Sequence, residues 1–333
     1  MKLEDLQPTK VFETYWPFAA ERHSIYVKRL RGEPQPWTSD EDLRKYKFTN
    51  IFRVADRVSQ HLIRSVIYAP DLPSDPEEVV FRILLFKFFN RISTWEEFVR
   101  AFGIPSWRDF DERAYVRVLD QLRARGEKIF SGAYQHNDLS NYARVSPYKH
   151  PRYLRLLRDM MQDKVDAKLR AARTYREAFE VLHRYPLHED FIAMQHLTDI
   201  NYSEVINFSE DDFIRAGPGA RKGLRKCFEE DSAPPGSFGL RNLPSAEEAA
   251  AWITDIAGSQ ELFFEHFGLK PPTLFGRRLS LIDVQNVFCE TNKLARVKHP
   301  EYSLPKEKLS PKRFEVTGPL PKQFFPPKWQ LRV

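Results

Sequence analysis

Three observations predict an all-α fold for this chain of 333 residues. Apolar residues recur at three- and four-residue spacing through most of it. Capping residues and prolines punctuate those runs. Sustained apolar–polar alternation is scarce.

Taken in order, Pro17 to Leu30 carries Phe18, Ile25 and Leu30 with Glu21, Arg22 and Arg29 between them, an amphipathic helix that stops near Gly32-Glu-Pro34. Thr38-Ser-Asp-Glu-Asp42 is rich in capping residues and opens a second helix. Thr49 to Tyr68 continues the pattern with Ile51, Val54, Val58, Leu62 and Val66. Pro76-Glu-Glu78 starts a helix through Phe89 that is apolar almost all round, hence central. Ser93-Thr-Trp-Glu-Glu97 caps another, to Phe102, and helical spacing returns over 111–126, 151–183 and 187–200. Weak strand alternation is confined to 129–134 and 313–317, and no repeat of fixed period stands out. After Tyr302 the chain holds six of its 24 prolines, interspersed with Lys306, Lys308, Lys312, Lys322 and Lys328. Such a stretch cannot continue a helix. The expected division is a helical domain over 1–302 and a Pro-rich basic arm over 303–333 that packs on the surface.

Composition narrows the function classes. Lys plus Arg number 52 against 46 Asp plus Glu, a net +6 that permits a nucleic-acid partner without proving one. Cys227 and Cys289 form no CxxC pair, which argues against a disulfide scaffold or zinc ribbon. The apolar run from Val79 to Phe89 is interrupted by Arg82 and Lys87, so no segment spans a membrane. Met1-Lys-Leu-Glu-Asp5 has no signal core behind it. The expectation is a soluble, intracellular protein, cytoplasmic or nuclear depending on its source. No GxxxxGK[ST] motif occurs, and no HExxH. His183, His188 and His196 are poorly spaced for one metal, so neither a metal nor a cofactor is expected.

Four constellations could carry chemistry. Phe213-Ile-Arg-Ala-Gly-Pro-Gly-Ala-Arg-Lys-Gly-Leu-Arg225 sets Gly217, Gly219 and Gly223 around a proline, with Arg221 and Lys222 following. A helix starting after such a turn offers free N–H groups to a phosphate, as in a helix–hairpin–helix near 213–228. An ordinary helix turn with a solvated basic flank fits equally. On the central helix, Lys87, Asn90 and Arg91 share an arc of about 100°. A polar arc on so apolar a helix needs a buried partner or a cleft. Asn50, Arg53, Asp56 and Arg57 recur on one helical face, suited to gripping phosphate or to a structural ion-pair network. Asp283, Asn286, Glu290 and Lys293 share about 80° of another helix, opposite Leu281, Val284 and Phe288. That face could supply a general base, though spacing alone favours a solvated face.

These blocks together resemble a known family. Pro17-Phe, Glu21-Arg-His, Pro36-Trp-Thr-Ser-Asp40, Phe48-Thr-Asn-Ile-Phe-Arg53, Asp56-Arg, Phe88-Phe-Asn-Arg-Ile-Ser-Thr-Trp95, Thr198-Asp-Ile-Asn-Tyr202, Ala216-Gly-Pro-Gly-Ala-Arg-Lys-Gly-Leu224 and Leu279-Ser-Leu-Ile-Asp-Val-Gln-Asn-Val-Phe-Cys-Glu290 are similar to the helical domain associated with 5-hydroxymethyl-deoxyuridine DNA kinases and to the α-glutamyl/putrescinyl thymine pyrophosphorylases. The likeness covers roughly 10–297; a Lys-Tyr pair of the pattern is Lys293-Leu294 here.

The resemblance implies a fold akin to helix–hairpin–helix DNA glycosylases and action on modified thymine in DNA. An amine, from an amino acid or polyamine, would displace pyrophosphate from the 5-hydroxymethyl group. On that reading Arg53, Arg57, Lys87 and Arg91 would stabilise departing charge, and Asp283 or Glu290 would deprotonate the amine. Asn90 would read the base, and the glycine elbow with Arg221 and Lys222 would hold the backbone of the flipped strand. Partners would be DNA, the amine and a separate P-loop kinase. Two alternatives stay open: glycosylase-like excision using Asp283 or Asp255, and a non-catalytic DNA-binding module.

Overall fold

In the computed structural model, the described residues are 2–132, 139–230, 239–303, 307, 311–316, 318–331. Residues 133 and 134 of the weak 129–134 strand expectation therefore lie outside them, and 129–132 form no strand. The chain is mostly helical, as its periodicity predicts. In chain order it runs β1 (Leu6–Pro8), α1 (Lys10–Leu30), α2 (Glu41–Lys45), α3 (Arg57–His61), α4 (Pro76–Phe89), α5 (Ile92–Phe102), α6 (Glu112–Ala124), α7 (Lys149–Gln162), α8 (Val165–Ala171), α9 (Tyr175–His183), α10 (Asp190–Asn201), α11 (Pro218–Cys227), β2 (Phe228–Glu230), α12 (Ala246–Gly258), α13 (Gln260–His266) and α14 (Leu281–Lys298). Two compact units result: unit 1 is 1–56, 213–323 and 331–333, and unit 2 is 57–212 with 324–330.

Unit 1 is built on α1, α11 and α14. Helix α1 begins at Lys10, earlier than its proline suggests. The Thr9 hydroxyl caps it by accepting the Val11 N–H at 3.2 Å, and Val11, Phe12, Tyr15 and Trp16 give that extra length an apolar face. Burial of those side chains, worth about 1.5–3 kcal/mol each, outweighs the about 3 kcal/mol an interior proline costs. Trp16 stacks on Phe263 with centroids 4.8 Å apart, and Tyr15 packs on Phe288 at 4.4 Å. The short β1 pairs antiparallel with β2, Leu6 opposite Glu230. Helices α12 and α13 carry little periodic signal apart from the Ser245–Glu248 capping box that starts α12.

Glycine serves packing in α11. A methyl group on Gly223 would run into the Phe288 carbonyl oxygen, and one on Gly219 into the Cys289 sulfur. Those two positions let α11 lie against α14 at backbone distance. Later chain adds to the same unit: Glu307 pairs with the buried Lys226 at 2.8 Å, and the Phe314 N–H donates to the Lys45 carbonyl at 2.9 Å.

Unit 2 centres on α4, whose residues from Glu78 to Phe89 are all buried, as its apolar circumference predicts. Arg82 is fully buried and donates to the carbonyls of Val66 (3.1 Å) and Pro73 (2.7 Å). The helical run expected over 151–183 is three helices. Lys164, in the left-handed region at φ 56°, separates α7 from α8, and Thr174 caps α9. Residues 324–330 lie in this unit, where Lys328 donates to the carbonyls of Ser203 and Ile206, each at 2.7 Å.

Candidate functional site

The helix expected from Thr49 begins only at Arg57; Thr49–Asp56 is a loop ending in a 3-10 turn at Arg53–Ala55. Tertiary hydrogen bonds override its helical spacing. The Asn50 N–H donates to Asp56 Oδ1 at 2.9 Å, and the Asn50 side chain donates to the Ala55 carbonyl at 2.8 Å. From α14, Asn286 Nδ2 donates to the Asn50 carbonyl at 2.7 Å, Glu290 Oε2 accepts the Thr49 N–H at 3.2 Å, and Asp283 Oδ1 accepts the Arg53 N–H at 2.7 Å. A chain whose N–H and C=O groups are taken this way gains nothing by forming a helix.

Two of the predicted constellations therefore converge within unit 1. Asn50, Arg53 and Asp56 meet Asp283, Asn286, Glu290 and Lys293. The solvated face that spacing alone favours for α14 is instead covered: Asp283 and Glu290 are 5% and 3% exposed. Lys293 pairs with Glu290 and keeps a third of its side chain in solvent, marking the open edge of the cluster.

Arg22 completes it from α1. Its Nη2 donates to Asn50 Oδ1 at 2.7 Å and to the Phe48 carbonyl at 3.3 Å. Burial lowers its pKa to about 10, partly offset by Asp56 and Glu290, so it remains a cation at neutral pH. Arg22 sits in the Glu21-Arg-His23 block, yet its periodicity marked only a polar face; nothing in spacing pointed to Asn50.

The three carboxylates differ in what they can do. Asp283 is the N3 residue of a capping box, accepting both the N–H (3.2 Å) and the hydroxyl (2.9 Å) of Ser280 besides the Arg53 N–H. Burial raises its pKa, and those donors pull it back. Three donors leave its oxygens little capacity for a further proton. Asp56 is different: burial raises it to about 6, with the Asn50 N–H and Arg22 opposing and Glu290 adding to the rise. A carboxylate near that value exchanges a proton readily at neutral pH. Burial works against the charge of Lys293, but Glu290 beside it raises its pKa above the usual value.

The other predicted residues are placed as follows. Lys87, Asn90 and Arg91 belong to unit 2. There Lys87 Nζ lies 3.0 Å from Asp199 Oδ2 and donates to Asn90 Oδ1 at 2.9 Å, with both charged groups buried. The buried partner that the polar arc of α4 required is thus Asp199. Asn90 closes α4 in the left-handed conformation, φ 48°, and the Arg91 guanidinium donates to the Ser93 hydroxyl at 2.9 Å. Arg57 is exposed at the start of α3. At the elbow, Gly217 precedes α11 with φ −76°, an ordinary extended value, and its N–H donates to Gln285 Oε1 at 3.1 Å. Arg221 Nε donates to the Pro244 carbonyl at 2.7 Å, and Lys222 is partly exposed. Asp255 is exposed on α12. No helix among the described residues is long and apolar enough to cross a membrane.

Comparison with known proteins follows this geometry. The family described as 5-hmdU DNA kinase, helical domain matches residues 9–304. A 5-hmdU DNA kinase from Bacillus phage SP10 is 28% identical over 236 residues, 66% of this chain and 36% of that protein. The chain thus spans about a third of that relative's length. No solved structure matches it.

Proposed function

The chain belongs to the family of 5-hmdU DNA kinase helical domains, and from that premise we propose that it acts in the hypermodification of hydroxymethyluracil in DNA, as the transferase that follows phosphorylation. The substrate is a base carrying pyrophosphate on its 5-hydroxymethyl oxygen. The bond between the exocyclic carbon and that oxygen breaks, pyrophosphate leaves with the electron pair, and an amine nitrogen bonds to the carbon. The amine's proton goes to a carboxylate.

The observation that carries this reading is the meeting of the 49–56 loop with the polar face of α14. It concentrates Asp56, Glu290, Arg22 and Lys293 at the edge of one unit, with Asp56 near the value a general base needs. Arg22, Arg53 and Lys293 supply the cationic surroundings that a departing pyrophosphate calls for. Asp56 or Glu290 takes the proton, while Asp283 positions Arg53. Arg221 and Lys222 hold the DNA backbone at the start of α11, in the manner of a helix–hairpin–helix protein.

A non-catalytic module is the second reading, favoured by one fact: the chain corresponds to only 36% of the kinase it resembles. Glycosylase-like excision has less support, since Asp283 is engaged by three donors and Asp255 is exposed. One experiment separates all three. The chain is co-expressed with a 5-hmdU DNA kinase, and the DNA is digested to nucleosides and weighed by mass spectrometry. An amine-bearing thymidine establishes the transferase, abasic sites establish excision, and phosphorylated hydroxymethyldeoxyuridine left unchanged establishes the module.

A further inference from the structure

Arg22 serves a second place besides the carboxylate cluster. With Arg29, Arg44, Trp37, Phe48 and Phe314 it lines a cavity of about 90 Å³ within unit 1. Arg29 lies over the Trp37 ring with its guanidinium carbon 5.0 Å from the centroid, and 5.9 Å from that of Phe314. No Asp or Glu is among the described residues lining this space. Arg22 is 9% exposed, and its Nη1 has no hydrogen-bond partner among the described residues although Nη2 has two. A buried guanidinium N–H left unsatisfied is costly, and an anion is the group that would complete it.

We infer that this cavity binds the carboxylate of a free amino acid, the amine donor of the transfer. The choice of donor rests on the transferase reading; the choice of ligand rests on the cavity. Charge disfavours a polyamine, which brings no anionic group to the three guanidiniums of a lining without a carboxylate, whereas an amino acid brings one. Size argues against the nucleobase with its diphosphate, since a cavity of about 150 Å³ takes a benzene and this one is smaller. The apolar walls of Trp37, Phe48 and Phe314 suit an anion with one apolar side, as a carboxylate has; Gln35, Thr38 and Tyr46 also line the space and make free phosphate the competing anion that the titration below tests. Arg22 at the cavity is linked by hydrogen bonds through Asn50 to Asp56, the group proposed to deprotonate the amine.

The test is a titration of the full chain with glycine, putrescine and inorganic phosphate. It follows the Trp37 indole N–H by NMR, assigned by its loss in Trp37→Phe. Glycine has the fewest atoms of any amino acid, so size cannot exclude it. The expected result is a saturable shift with glycine and none with the other two. Arg44→Gln, at an exposed position, and Arg29→Gln, at a half-buried one, each raise the glycine midpoint about tenfold while the far-UV circular dichroism of the folded chain is kept. An indole unmoved by glycine, a saturable response to putrescine or phosphate, or a glycine midpoint unchanged in both variants overturns the assignment. No DNA or kinase enters the titration. Glycine binding without any modified nucleoside therefore removes the transfer reading alone, and a modified nucleoside without glycine binding removes the cavity assignment alone.

Discussion

Asp283 holds Arg53 by its backbone: Oδ1 accepts the Arg53 N–H at 2.7 Å, and the same carboxylate closes the first turn of α14 through Ser280. One side chain thus ends a loop, starts a helix and ties the two together. Its separation from Arg53 along the chain, 230 residues, makes it a tertiary clamp as well as a local cap.

Asp283→Asn puts an NH2 group where donors already converge. Stability is expected to fall by about 1–3 kcal/mol, the cost of leaving a buried donor unpaired. Urea unfolding measures it, and a midpoint equal to the parent's would show that the clamp contributes nothing.

Asp56 gives a pH signature. Its folded value of about 6 lies above the 3.8 of an unfolded chain, so between those values the folded state retains a proton that the unfolded state has lost. Stability contributed by this group is present below 3.8 and declines as pH rises through 6. Asp56→Asn keeps an oxygen for the Asn50 N–H and cannot ionise, so it gains on the parent protein from pH 4 to pH 7. Urea midpoints of both proteins at the two pH values check this; a constant difference refutes it.

The glycines of α11 predict an order. Gly223→Ala meets a backbone carbonyl, which cannot move alone, and overpacking of this kind costs about 1–3 kcal/mol. Gly219→Ala meets a cysteine sulfur, and Cys289→Ala removes that obstacle. Thermal melting of the single and double variants is expected to show rescue for Gly219 and none for Gly223.

Lys87 and Asp199 form a buried pair in which either partner alone is a liability. Lys87→Met is expected to cost about 3–5 kcal/mol, and adding Asp199→Leu to recover most of it. Denaturant curves of the parent and the two variants decide, and a double variant no better than the single one would show that the pair is not coupled.

For the elbow, Arg221→Ala with Lys222→Ala is expected to weaken duplex binding regardless of sequence and to flatten its dependence on salt. Fluorescence anisotropy at several salt concentrations reads both. Unchanged affinity removes α11 from any DNA interface.

Helices were legible wherever apolar spacing was strong. The limits of α4 follow from Pro76 and from the end of its apolar run at Asn90. The Thr49–Asp56 loop was not legible, because its spacing is helical and the hydrogen bonds that unwind it come from Asp283, Asn286 and Glu290, far along the chain. The same distance hid the convergence of the two polar clusters and the place of Arg22. Gly219 and Gly223 invited a phosphate-binding interpretation, since glycine at close helix spacing looks the same in sequence whether a ligand or another helix comes near.

The Tyr15 hydroxyl donates to the Val284 carbonyl across 269 residues of chain. On the ribosome, α1 emerges with Phe12, Tyr15 and Trp16 ready for burial long before Phe228, Phe263 and the Phe288 of α14 exist to cover them, while α4 to α10 find neighbours close by. A helix made early is among the last to be housed. A chain cut short anywhere before Leu281 keeps a greasy, unclaimed face on α1, so truncations late in this stretch are expected to be as destructive as early ones.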